Sequence, residues 1–179
     1  KASTLGTAII SVSGGTLNMS GLSSTIGTAA VPIDTLSLTD ARLSMPAFSG
    51  SPSAVVTTLN IDGTADTLSV SSAPGLGQFQ LIAYTSLNGT FDFSLGTLPP
   101  GFQGYISNNI SSSSVDLVIT NVLIKTDTWR GNISGNWDTS TANWISSGNP
   151  STYQQGDVVV FDDTLTGTAN VTLTTTLIP

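Results

Sequence analysis

Cysteine, histidine and glutamate are absent from this 179-residue chain, and its four cations are Lys1, Arg42, Lys125 and Arg130. Each absence removes a class of function. Without cysteine or histidine there is no zinc finger, haem ligand, thiol nucleophile, disulfide framework or Ser-His-Asp triad. A net charge of −7 with four cations excludes the basic face that a nucleic-acid binder needs. Absence of glutamate, with few lysines and arginines, removes residues that favour helix. No stretch is long and apolar enough for a membrane-spanning helix, and no signal peptide is expected within these residues. The first residue is not methionine, so a processed or excised piece of a longer protein is expected.

What is there is strand and turn chemistry. The chain holds 26 Ser, 27 Thr and 18 Gly, and all 11 acids are Asp. With 39% hydrophobic residues it has enough apolar surface for a core and is not disordered by composition. Serine, threonine, valine, isoleucine and glycine favour strands and tight turns. This balance suits an exported bacterial surface protein.

An internal repeat organises the first two-thirds. Ile9 to Met19, Thr35 to Met45 and Thr58 to Val70 each read strand, small turn, strand. Apolar and polar residues alternate in each strand, the period of a half-buried strand. The apolar pairs are Ile10/Val12, Leu36/Leu38 and Leu59/Ile61, then Leu17/Met19, Leu43/Met45 and Leu68/Val70. Gly14-Gly15, Asp40-Ala41 and Asp62-Gly63 supply the turns. A fourth copy is read at Ile82/Tyr84 and Phe91/Phe93 around Asn88-Gly89, and a fifth at Ile106 and Val115/Leu117. The copies are about 22 to 26 residues apart, with Ile10, Leu36, Leu59, Ile82 and Ile106 as equivalents. This predicts an all-β protein, a parallel β-solenoid (right-handed β-helix) with one copy per rung. An antiparallel β-sandwich, with each copy a hairpin, is the alternative.

Composition changes near residue 124. Residues 1–124 read as solenoid rungs. Residues 125–179 read as a Trp- and Asn-rich segment that caps or continues them, with strands resuming at Asp157 and Asn170. All three tryptophans, Trp129, Trp137 and Trp144, lie in this segment.

Trp129-Arg130-Gly131, Gly135-Asn136-Trp137-Asp138, Asn143-Trp144 and Gly156-Asp157 through Phe161-Asp162-Asp163 form one block. Together with Gly14-Gly15-Thr16-Leu17-Asn18-Met19-Ser20-Gly21, it resembles bacterial proteins with autotransporter-associated β-strand repeats. Phe79 to Thr120 is similar to the end of such a repeat region. The resemblance implies a right-handed solenoid with a passenger-like or adhesin-like structural role and no catalytic activity. These 179 residues are short for such a protein, so one repeat unit or a self-standing relative is expected.

No constellation points firmly to catalysis. Asp162-Asp163 has the residue type of a glycosidase acid pair, but adjacent strand residues face opposite ways and no cation lies close in sequence. Asp40, Asp62 and Asp66 occupy turns and offer hard oxygens, yet no calcium-loop motif is present. Asp34-Thr35-Leu36 and Asp66-Thr67-Leu68 only half match aspartic-protease loops. Lys125 lies in no motif for a Ser-Lys nucleophile or an isopeptide bond. The N-x-S/T triplets at Asn18, Asn88, Asn109, Asn132 and Asn170 follow from composition. Trp129, Trp137, Trp144 and Tyr153 are the candidate carbohydrate-stacking residues, with a local hydrophobic core as the competing reading.

The expectation is therefore a secreted or cell-surface structural protein, not an enzyme, with no cofactor and no metal. Its expected partners are copies of itself, joined head to tail through terminal strands. Cell-surface or matrix carbohydrate is the further partner, and the alternative function is an adhesin. Nucleic-acid binding and membrane insertion are not expected.

Overall fold

A computed structural model describes residues 8–177. Of the chain ends expected to join copies head to tail, Lys1 to Leu5 and Thr176 to Pro179, all but Thr176 and Leu177 lie outside the described residues. The chain divides into two compact units: residues 1–99 with 103–121, and residues 100–102 with 122–179.

The first unit is a parallel β-solenoid of about three turns. Each rung contributes one strand to each of two sheets. The pairs are β1 (Ile9–Ser13) with β2 (Thr16–Asn18), β3 (Ile33–Thr39) with β4 (Arg42–Met45), β5 (Ala54–Asp62) with β6 (Thr67–Val70), and β7 (Gly77–Gly89) with β8 (Ser94–Leu95). Strands β1, β3, β5 and β7 stack in parallel in one sheet, and β2, β4, β6 and β8 do so in the other.

Register explains the repeat. Ile10, Leu36, Leu59 and Leu87 form one column, and Leu17, Leu43, Leu68 and Leu95 form another. The middle members are fully buried between the sheets. The polar residues between them bind along the stack: Asn60 donates to Ser37 at 2.9 Å and Asn88 to Asn60 at 2.9 Å.

The fourth rung differs from the sequence reading. Leu87, not Ile82, lies beside Leu59, whereas Ile82 faces Ala54. Leu95, not Phe91 or Phe93, continues the second column. Strand β7 runs for 13 residues, so an alternating pattern can be cut from it in more than one frame. Asn88-Gly89 is not the two-residue turn expected there; both residues belong to β7.

The fifth rung does not form. Strand β9 (Phe102–Asn109) leads through a 3-10 turn (Ile110–Ser112) into β10 (Ser114–Val122). Ser113, at φ 48°, closes the turn. Strand β10 then pairs antiparallel with β7, and β9 lies beyond it in the sheet. A parallel rung needs a crossover around the core, and a three-residue turn cannot supply one. Parallel stacking in this sheet thus stops at β7.

Carboxylates at the corners and at the start of β3 join one rung to the next. Ala8 donates its N–H to Asp34 at 2.7 Å, Ala41 to Asp66 at 2.6 Å, and Thr64 to Asp40 at 2.9 Å. These partners are 24 to 26 residues apart, which is one rung. A short side chain suits a donor on the adjacent rung, and this accounts for aspartate in turn positions. Asp62 takes no such role and is exposed.

Asp66 is fully buried, and its Oδ2 has no partner. Burial pushes its carboxyl up, the Ala41 N–H pulls it down, and the charges of Asp92 and Asp40 push it up again, leaving it above the usual carboxylate range. A raised native value means the folded state holds the proton more tightly than the unfolded state. Its contribution is present below the unfolded value and is lost as pH rises through the folded one. Asp66→Asn keeps the acceptor for Ala41 and removes the charge. It is expected to match or exceed the parent at pH 7 by roughly 0.5–1.5 kcal/mol, with the advantage disappearing toward pH 4. Urea midpoints of both proteins across that range measure it. A less stable variant at pH 7 contradicts the assignment.

The second unit returns to parallel stacking with longer excursions. Its strands are β11 (Thr126–Trp129), β12 (Asn136–Trp137), β13 (Trp144–Ser146), β14 (Asn149–Ser151), β15 (Val158–Val160) and β16 (Thr172–Leu173). Strand β11 pairs in parallel with β15, and β12 with β16. Strands β13 and β14 form an antiparallel extension on β11.

Candidate functional site

Three features of the described residues have the chemistry to act: an open rung edge, an aromatic cluster and a lysine cage.

The open edge belongs to β1 and β2. Each is the outermost strand of its sheet among the described residues. Ile9 is 63% exposed. Ile10, Val12 and Leu17 are half-buried, whereas their register partners Leu36, Leu38 and Leu43 are buried. The chemistry is the same in both rungs; the difference is that no described strand lies over the first. Strand edges of this kind present unpaired N–H and C=O groups in a row.

The aromatic cluster lies in the second unit. Trp129, Trp137, Trp144 and Tyr153, all proposed from sequence as sugar-stacking residues, come together as one buried core. Trp144 is central, with ring centroids 4.9 Å from Trp129 and 5.1 Å from Trp137, both edge to face. Trp137 meets Tyr153 edge to face at 5.4 Å. A stacking platform needs an exposed ring face. In this arrangement the four rings chiefly cover one another.

Phe161 is the exception. It is 53% exposed and lies 5.8 to 6.1 Å from all three tryptophans. The sequence block contained Phe161, but nothing in the pattern distinguished it from its buried neighbours.

The polar residues of the block hold the cluster's loops. Asn143 is buried: its Oδ1 accepts from the N–H groups of Ile133 and Ser134, and its Nδ2 donates to the Asn136 carbonyl at 2.8 Å. Asp138 accepts from Thr141 and Ser140, and these two N–H groups hold its carboxyl below the usual range. Gly131 has φ 61°, and a Cβ there would lie 2.4 Å from the Thr168 carbonyl oxygen. The same carbonyl accepts from Trp129 Nε1 at 2.9 Å.

The lysine cage is the most polar buried feature of this unit. Lys125 Nζ donates to Asp127 and Asp157, the latter at 2.6 Å, and to the Thr152 carbonyl at 2.8 Å. Asp127 and Asp157 are buried. Burial alone would pull the ammonium down, but hydrogen bonds and charge from both aspartates leave it above its ordinary value. Burial pushes Asp157 up, and the Lys125 side chain and the Lys125 and Gln154 N–H groups bring it below the usual range. The three ammonium protons each have an acceptor, so the resting form is an ion pair.

The Asp162-Asp163 pair falls in a polar turn after β15. Asp162 Oδ1 accepts from the Thr164 hydroxyl at 2.5 Å, the Thr164 N–H at 2.9 Å and Arg130 at 3.3 Å, and these partners lower its carboxyl, the hydroxyl most. Asp163 is exposed. Among the described residues, no group of three or more acids is arranged to hold a metal ion. No described helix is long and apolar enough to cross a membrane.

No family model, curated protein or solved structure matches this chain.

Proposed function

We propose that the chain is a non-catalytic, extracellular structural protein, a β-solenoid unit of a bacterial surface stalk or self-assembling filament. The edge of the first rung, which is open among the described residues, carries this reading. Strands β1 and β2, at the edges of their two sheets, expose backbone donors and acceptors, and behind them lie apolar columns that are half-covered at Ile10, Val12 and Leu17. A second rung of the same alternation satisfies both needs at once. The Ser- and Thr-rich, charge-poor composition and the resemblance to autotransporter-associated repeats support an exported role.

Copies joined head to tail through such an edge make a heterologous contact, which does not close on itself and grows linearly. Strands β1 and β2 carry none of the charges that usually block strand addition. Light scattering and electron microscopy over rising protein concentration test this. Elongated assemblies are expected, and Ile9→Lys is expected to abolish them while leaving monomer stability within about 0.5 kcal/mol of the parent. Monodisperse single chains at every concentration would overturn the self-association.

A further inference from the structure

The second unit contains a pocket of about 200 Å³ lined by Trp129, Phe161, Asp162, Leu165 and Ala169. We infer that it is a binding site for one neutral pyranose ring, with Phe161 as the stacking surface and Asp162 as the hydroxyl acceptor. This assignment does not depend on the filament reading.

Three observations converge on it. The first is the ring. Phe161 is half open to solvent and backed by Trp129, Trp137 and Trp144. A ring fixed from behind presents its free face without an ordering cost on binding. That face suits the C–H surface of a sugar. The second is the carboxylate in the lining. Bonds from Thr164 and Arg130 hold Asp162, and they end on Oδ1. Oδ2 remains for a ligand hydroxyl. The surrounding donors keep Asp162 ionised, and charge-assisted hydrogen bonds are the stronger kind. The third is size and composition. A mostly apolar hollow with one or two convergent polar groups is the usual form of a small-ligand site. This one has room for a single ring rather than a chain.

Charge selects the class of sugar. Asp162 lines the pocket with its side chain 39% exposed, Asp163 follows it, and the net charge is −7. A uronic acid or a sulfated sugar would meet repulsion there, with Arg130 as the sole opposing charge beside Asp162. The reading also relocates the sugar contact. Of the four residues proposed from sequence for sugar stacking, Trp129 borders this pocket, joined by Asp162 from the acid pair.

Trp129 gives the site its own reporter. The full chain is titrated with methyl glycosides of glucose, galactose, mannose and N-acetylglucosamine, and with glucuronic acid, following tryptophan fluorescence and NMR shifts. At least one neutral glycoside is expected to bind saturably with a dissociation constant of roughly millimolar size, as one small ring allows. Phe161→Leu retains an apolar side chain and removes the ring, and Asp162→Asn weakens the acceptor. Each is expected to weaken binding about tenfold or more, equivalent to loss of a stacking contact or a charged hydrogen bond. Val158→Ala, an exposed apolar change in the same unit, is expected to leave it unchanged. Near-ultraviolet circular dichroism of the tryptophans verifies that each variant keeps its core. No saturable response to any neutral glycoside, tighter binding of glucuronic acid, or full binding by Phe161→Leu would each overturn the assignment.

Discussion

Gly89→Ala is expected to cost roughly 2–4 kcal/mol, among the larger effects a single methyl group produces. Gly89 ends β7 at φ 94°, and a Cβ there would lie 1.7 Å from the carbonyl oxygen of Ile61. That oxygen belongs to the neighbouring rung, where Ile61 is the register partner of Gly89. A flexible side chain could move aside; a backbone carbonyl within a ladder cannot do so without breaking the pairing of β5 with β7. Unfavourable φ adds about 1–2 kcal/mol for any L-residue. Gly14 provides the control, since it also has positive φ, at 62°, but no atom lies within 4 Å of its Cβ position. Gly14→Ala should therefore cost only about 1 kcal/mol. All three tryptophans lie in the second unit, so hydrogen exchange across β5 and β7 is the suitable probe. Equal losses for the two variants would show that backbone conformation, and not rung contact, decides the cost.

Lys125→Met is expected to destabilise the second unit by roughly 2–4 kcal/mol at neutral pH. Methionine fills the space of the lysine stem but leaves Asp127 and Asp157 buried and uncompensated. The loss falls short of that for a wholly enclosed pair because the lysine side chain is 28% exposed. Its pH dependence identifies the cause. Asp157 has a depressed native value, so its stabilising contribution is present above the unfolded carboxylate value and is lost as pH falls through the native one. Lys125, with a raised value, contributes below its unfolded value and ceases to do so as pH rises through the native one. The gap between parent and variant should thus be widest near neutrality and close in acid, as pH falls through the depressed value of Asp157. Tryptophan fluorescence during urea unfolding reports this unit alone. A penalty that stays constant over that range would assign the loss to packing.

The first three rungs were legible because their alternation is uninterrupted and the residues at each column are alike. Ile10, Leu36 and Leu59 do form one column. The fourth rung was misaligned because β7 serves two partners. Its later residues pair with β5 and its earlier ones with β10. Both stretches alternate, and an alternating pattern has no unique origin. The antiparallel return of β10 was invisible for a related reason. Val115 and Leu117 are as apolar as a rung requires, and strand direction leaves no mark on side-chain period.

The aromatic segment shows a similar division. Trp129, Trp137, Trp144 and Tyr153 could be selected by composition, but whether an indole faces solvent or another indole depends on the chain around it. Asn143 and Gly131 determine those loop paths through bonds and close approaches to residues distant in sequence. Phe161 became distinct from the others only through its exposure.

The chain's own residues determined that it is built from stacked strands. Absence of cysteine and histidine excluded thiol and imidazole chemistry, and recurring aliphatic columns specified rungs, because both are properties of the residues themselves. Only the tertiary structure decided where parallel stacking ends, why short carboxylates occupy the corners and which ring remains open. Each of those depends on a partner that lies about one rung or more away along the chain, at a distance that local pattern does not encode.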